Sequence, residues 1–156
     1  MTQPERLDYL IKHLLAERRE YADVSIPEGV SERRRLLRAL MNVRAPEPVS
    51  AEFLSVQDEY LRDRLTERGV QRVDDLTPVE PGIYLWQGDI TTLAADGIVN
   101  AANSGMTGCY VPCHGCIDNA IHTFAGVQLR LECARIMAAQ GHEEPTGRAK
   151  ITRGYN

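Results

Sequence analysis

No stretch of this sequence is apolar over the length a bilayer crossing needs. The N-terminus Met1-Thr2-Gln3-Pro4-Glu5-Arg6 leads into an amphipathic pattern, not into the apolar core of a signal peptide. The reading is a cytoplasmic protein with no membrane partner. A basic excess is also missing: 18 Lys and Arg face 22 Asp and Glu, for a net charge of −4, which argues against a nucleic-acid partner gripped through its phosphates. A small anionic ligand stays compatible with that balance, because backbone amides bind phosphate without net positive charge. There is no internal repeat and no low-complexity tract, and the hydrophobic and charged fractions, 43% and 26%, exclude disordered and fibrous classes. A chain of 156 residues holds one ordinary core, or one domain with a small extension, but not two large domains.

What is there falls into two parts. Leu7, Leu10, Ile11, Leu14 and Leu15 share one helical face. Thr2 and Glu5 offer a capping box around Pro4, and this first helix is expected to end near Tyr21. A second helix is expected after Ser31, with Leu36, Leu37, Leu40 and Met41 as its stripe. The Arg33-Arg34-Arg35 run lies largely outside that stripe and reads as a solvated face, with a patch for an acidic partner as the alternative. Pro46 and Pro48 mark a connection, and a third helix runs from Ser50 to a stop at Gly69. Residues 1–78 are therefore expected to be a helical N-terminal extension. Beyond it the period changes: Ile83 to Gln87 and Gly97 to Asn100 read as strands, Asp118 to about Gln140 as helix with a break at Gly126, and Ala149 to Thr152 as the start of another strand.

Cys109, Cys113 and Cys116 crowd around His114 in one loop between strand and helix. In a chain with no export signal this reads as metal binding, not as a disulfide framework. Thiolate and imidazole suit zinc. Ligation by the adjacent pair Cys113 and His114 is geometrically awkward, so Cys109, His114 and Cys116 make the better trio, with a four-ligand structural site that includes Cys113 as the alternative. Three protein ligands leave one position open, the arrangement of a catalytic zinc.

Around this loop lie Gly88-Asp89-Ile90, then Ile98-Val99-Asn100-Ala101-Ala102-Asn103-Ser104, then Cys116-Ile117-Asp118-Asn119-Ala120-Ile121-His122, with Gly147-Arg148-Ala149-Lys150-Ile151-Thr152-Arg153-Gly154-Tyr155 near the end. Singly, Asp89, Asn100 and Asn103 are ordinary turn or cap residues. In this order the series resembles the macrodomain family, and Cys-x4-His-x-Cys in place of the usual glycine-rich stretch resembles its zinc-dependent branch. The resemblance implies an α/β fold: part of a macrodomain, a mixed sheet between helices, over 79–156 behind the helical extension. It also implies that further strands of the family lie outside these residues. A complementing C-terminal polypeptide is then an expected partner, because half a sheet leaves apolar faces uncovered.

By position, the resemblance implies that Asp89 accepts from the adenine amino group with the Ile90 amide beside it, and that Asn100 and Asn103 face the distal ribose. It makes Asp118 the acid/base carboxylate, on a helix whose first amides serve phosphate, and His122 a supporting group. The implied activity is zinc-dependent hydrolysis of ADP-ribose from mono-ADP-ribosylated protein side chains, with Asn103 and Asp118 catalytic and a lipoyl-carrier protein as one partner the family suggests. The alternatives are an ADP-ribose reader that does not hydrolyse and a zinc-stabilised interaction fragment.

Overall fold

A computed structural model describes residues 1–156. Three helices form first: α1 (Gln3–Ala16), α2 (Val30–Val43) and α3 (Ala51–Arg68). The N-terminus of α1 is held by the expected capping box, with the Thr2 side chain accepting from the Glu5 amide and Glu5 reaching back to the Thr2 amide. Ser50 caps α3, accepting from the Phe53 amide at 3.1 Å, and Gly69 ends it at φ +81°. The first helix stops at Ala16, short of Tyr21; a separate 3₁₀ turn covers Arg19–Tyr21 after an extended Arg18, and α2 starts one residue before Ser31.

The stripes of these helices meet in one core. Leu10, Ile11, Leu14 and Phe53 are almost fully buried, beside Leu37, Leu40, Met41, Val56, Tyr60 and Leu61. Each such side chain contributes about 1.5–3 kcal/mol by leaving water.

The later helices, α4 (Ile117–Ala125) and α5 (Val127–Gln140), break where expected, at Gly126. The break is docked, not free. Gly126 has φ +93°, and a Cβ placed there would lie 2.5 Å from the Gln57 amide nitrogen. Gln57, fully buried on α3, accepts from the Val127 amide at 3.0 Å and donates to the Gln128 side chain at 2.7 Å. Val127 joins the helical core, while Ile121, Ala125, Leu129 and Cys133 form a second, smaller cluster.

The β content is small and mixed. β1 (Gln71–Arg72) pairs in parallel with β4 (Leu93–Ala94), and β2 (Pro78–Glu80) pairs antiparallel with β3 (Ile83–Tyr84) through an irregular register. Three strand expectations need correction. Only Ile83–Tyr84 of the first expected strand is paired, and the segments 97–100 and 149–152 carry no strand at all. A strand exists only through a neighbour that accepts and donates along its length. These segments have none, and Val99 and Ile151 stand 87% and 95% exposed. The architecture is therefore α/β with helices dominant, and no helix is long and apolar enough to cross a membrane.

Candidate functional site

The Cys/His loop leaves Asn103 by a tight turn, in which the Met106 amide donates to the Asn103 carbonyl and the Asn103 side chain donates to the Gly108 carbonyl. Gly108 (φ +86°) is the one residue that fits there: a Cβ would sit 2.7 Å from the ring of His122. The loop then brings Cys109, His114 and Cys116 together, with their ligand atoms within 4.8 Å of one another and Cys109 Sγ 3.7 Å from His114 Nδ1. Cys113 is turned out of this group. It occupies the left-handed region (φ +54°), its amide donates to Asn42 Oδ1 at 2.9 Å and its thiol points to the Arg35 carbonyl at 3.4 Å. That reversal of the chain at Cys113 lets the next residue, His114, face Cys109.

Four side chains that sequence reasoning missed hold the loop. Arg38 on α2 donates to Asn119 Oδ1 at 2.7 Å and to the His114 carbonyl at 3.0 Å. Asn119, fully buried, donates on to the Val111 carbonyl at 3.0 Å. Asn42 receives the Cys113 amide and donates to Thr123 Oγ1 at 2.9 Å. Arg130 on α5 is the hub, donating to the carbonyls of Thr107 (2.8 Å), Asn42 (2.7 Å) and Arg44 (2.7 Å), with the Cys109 carbonyl at 3.4 Å and its guanidinium over the Tyr110 ring. Burial pulls the Arg130 guanidinium below its ordinary value, against the opposing pull of Tyr110, Asp118 and Cys109. None of these four was given a role from the sequence, although Asn119 and Arg130 fall within the family-like series, because their partners are backbone atoms or lie on other helices.

Cys116 does two jobs at once, as a member of the trio and as the N-cap of α4, its sulfur accepting from the Asn119 amide at 3.4 Å. Two residues on, Asp118 is buried and accepts from the Asn100 amide nitrogen at 2.7 Å, with His122 Nε2 3.6 Å away. Burial pushes the His122 imidazole down to about 4, against the pull of Asp118 and helped by Arg130. Two polar atoms in this group, Asn100 Oδ1 and His122 Nδ1, are buried without a partner. Since buried polar atoms are normally satisfied, Asn100 Oδ1 is an atom awaiting a donor.

Asn100, Asn103 and His122 line one open cleft, and Ile90 lines the next; the two share the walls Ile98, Val99 and Ile121. Asp89 lies outside both clefts. It caps a 3₁₀ turn, accepts from the Thr91 amide and hydroxyl, and pairs with Arg68 at 2.9 Å. Partial burial opposes its charge, but the Thr91 bonds and Arg68 hold Asp89 below the ordinary carboxylate value. The structure thus gathers the trio, and separately Asn100 with Asp118 and His122, while Ile90 lines the neighbouring cleft and Asp89, paired with Arg68, lies outside both.

The chain is 58% identical over its whole length to a protein-ADP-ribose hydrolase of Treponema medium and covers 61% of that protein. It is 51% identical over 97% of its length to a protein-ADP-ribose hydrolase of Staphylococcus aureus (strain MRSA252), of which it covers 57%. The chain therefore spans roughly three-fifths of the length of the curated relatives it matches. Residues 99–156, the stretch that carries Asn100, Asn103, the Cys/His loop and Asp118, match the Macro domain family.

Proposed function

We propose that a protein carrying this chain hydrolyses ADP-ribose from modified protein side chains, using zinc held by Cys109, His114 and Cys116. The observation that carries the reading is the adjacency of two functions at one helix end, with Cys116 of the metal trio capping α4 and Asp118, bonded to Asn100, in its first turn. Similarity to hydrolases over the whole chain supports the reaction class. The donor set fits the ion: tetrahedral zinc with Zn–S about 2.3 Å and Zn–N about 2.0–2.1 Å separates S and N ligands by roughly 3.6 Å. Cys109 and His114 are spaced at 3.7 Å, and all three ligand atoms lie within 4.8 Å of one another, so closure on the ion needs only a small inward shift. When bound, zinc supplies Lewis acidity at one open coordination position.

The chain's own residues do the rest. Asp118 fixes the Asn100 amide so that Oδ1 faces away from it and accepts from a ribose hydroxyl, and Asn103 orients the sugar from the same cleft. The Asp118 carboxylate oxygen not bonded to Asn100 takes the proton of the attacking nucleophile. Asp89, anchored by Arg68, accepts from the adenine amino group, with Ile90 beside the base.

The test follows release of label from mono-ADP-ribosylated protein, with calorimetry of free ADP-ribose in parallel. Asn103→Ala or Asp118→Ala is expected to slow release by about 10² or more, the scale of losing an acid/base or positioning group. ADP-ribose affinity should change by less than about tenfold. Tight binding with no release from acidic-, serine- or arginine-linked substrates would overturn the hydrolase in favour of a reader.

A further inference from the structure

The arginine run of α2 does more than face water. A groove between α2, α3 and α4 is lined by Arg34, Arg35, Arg38 and Arg64, over a floor that includes Met41 and Phe124, and none of its eleven lining residues is Asp or Glu. Elsewhere on the N-terminal helices arginines are neutralised: Arg6 pairs with both Glu59 and Asp63, Arg33 with Asp8, and Arg44 with Glu17. Here Arg34 and Arg64 share the single carboxylate of Glu67, and Arg38 bonds only the neutral acceptors of Asn119 and His114. Arg35 is exposed, and Arg34 Nε is buried without an acceptor. A chain with net charge −4 thus keeps a local positive excess over an apolar floor. The groove also adjoins the metal loop: Cys113 lines it, and Arg38 ties it to the His114 carbonyl.

We propose that this groove docks an acidic segment of the ADP-ribosylated protein, with carboxylates on the arginines and apolar side chains on the floor. Guanidinium forks match carboxylates, and mixed charged and apolar lining selects a peptide over a bare anion. A nucleic-acid strand fits less well, because its phosphates need a long basic track and the chain as a whole is acidic. The identity of the partner as the modified protein rests on the hydrolase reading; the charge complementarity does not.

The probe is a short fluorescein-labelled peptide of alternating Glu and Leu, read by anisotropy on the zinc-repleted chain. Saturable binding is expected, weakening as salt rises. It should fall tenfold or more in Arg35→Glu/Arg64→Glu, fall less in Arg35→Glu alone, and be kept within a few-fold in Arg35→Lys. Equal binding by all variants, or tighter binding of a Lys/Leu peptide, inorganic phosphate or a single-stranded oligonucleotide, overturns the proposal. In turnover, the double variant should raise KM for an ADP-ribosylated acidic protein and leave kcat unchanged, with a modified peptide lacking acidic flanks unaffected. Absence of turnover with every substrate, while the charge-dependent peptide binding holds, sinks the hydrolase reading and leaves the groove standing.

Discussion

Cys113 and Cys109 are the same residue type in the same loop, and their surroundings set them apart. The Cys113 thiol is spent on the Arg35 carbonyl, whereas Cys109 faces His114 Nδ1. Metal-repleted protein is therefore expected to hold about one zinc per chain, lost from Cys109→Ala, His114→Ala and Cys116→Ala and kept by Cys113→Ala. Elemental analysis after gel filtration reads this directly; loss confined to Cys113→Ala would reverse the assignment. The trio was legible because ligand type and adjacency are local properties of a sequence, while the Arg38, Asn42 and Arg130 contacts behind it were not. His122 carries a second prediction. Its pKa is about 4 when folded against an ordinary value of 6.5, so between those values the unfolded chain binds the extra proton. Stability present above pH 6.5 is lost as pH falls toward 4, by on the order of 1–3 kcal/mol. Urea unfolding across that window should show a slope that His122→Gln flattens; an unchanged slope would show that His122 is not buried neutral.

At the scale of elements, helix ends marked by a cap or a glycine were readable, because Thr2, Ser50, Gly69 and Gly126 act on their own backbone neighbours. By contrast α1, with no such signal at its C-terminus, ended at Ala16 and not near Tyr21. The break at Gly126 was visible; its docking against Gln57, 69 residues earlier, was not. Two positive-φ glycines differ in both backbone conformation and packing: Gly141 is left-handed (φ +76°, ψ 6°), whereas Gly126 (φ +93°, ψ 175°) lies in a region essentially reserved for glycine. At Gly141 (φ +76°) an added Cβ would meet nothing within 4 Å, so Gly141→Ala carries only the left-handed penalty of about 1–2 kcal/mol. Gly126→Ala adds a collision at 2.5 Å with a buried amide and should cost measurably more in denaturant unfolding. Equal losses at the two sites would mean that neither the Gly126 backbone conformation nor its contact with Gln57 is firmly held. Arg130 makes a comparable point for the joint between α5, the end of α2 and the Cys/His loop. Arg130→Met leaves buried carbonyls of Thr107, Asn42 and Arg44 without their donor, and a destabilisation of about 2–4 kcal/mol is expected from the same measurement. Arg130→Lys should recover little of it, since one ammonium cannot reproduce the fork.

For the whole molecule, the alternation of helix and strand in the sequence led to a larger sheet than the structure contains. Val99 and Ile151 have strand-forming side chains, but pairing is decided by neighbours, and no ladder forms beside them. The relation between residues 1–78, whose α-helices end at Arg68 and which also carry β1, and the rest was equally hidden, because sequence composition marks where a period changes and says nothing about what packs across the change. The contacts across it are extensive. Arg38 and Asn42 of α2 hold the His114 carbonyl and the Cys113 amide, Gln57 of α3 holds Val127, and the end of α2 supplies three carbonyls to Arg130. Phe124 packs under the Arg68 guanidinium, and β1 pairs with β4. The N-terminal helices therefore act as the backing of the Cys/His loop, and a polypeptide limited to 79–156 loses every one of those partners. Such a polypeptide is expected to retain zinc at least tenfold more weakly than the 156-residue chain, with a collapsed near-ultraviolet signal from Trp86 and its tyrosines. Competition against a chromogenic chelator measures the first and circular dichroism the second. A milder variant guards against simple misfolding: Asn42→Ala removes the acceptor for the Cys113 amide and the Thr123 bond while leaving α2 in place. If 79–156 and Asn42→Ala both hold zinc as tightly as the parent chain, the loop organises itself and the backing role is wrong. If zinc retention falls in the order parent, Asn42→Ala, 79–156, the helices preorganise the ligands through the Cys113 turn.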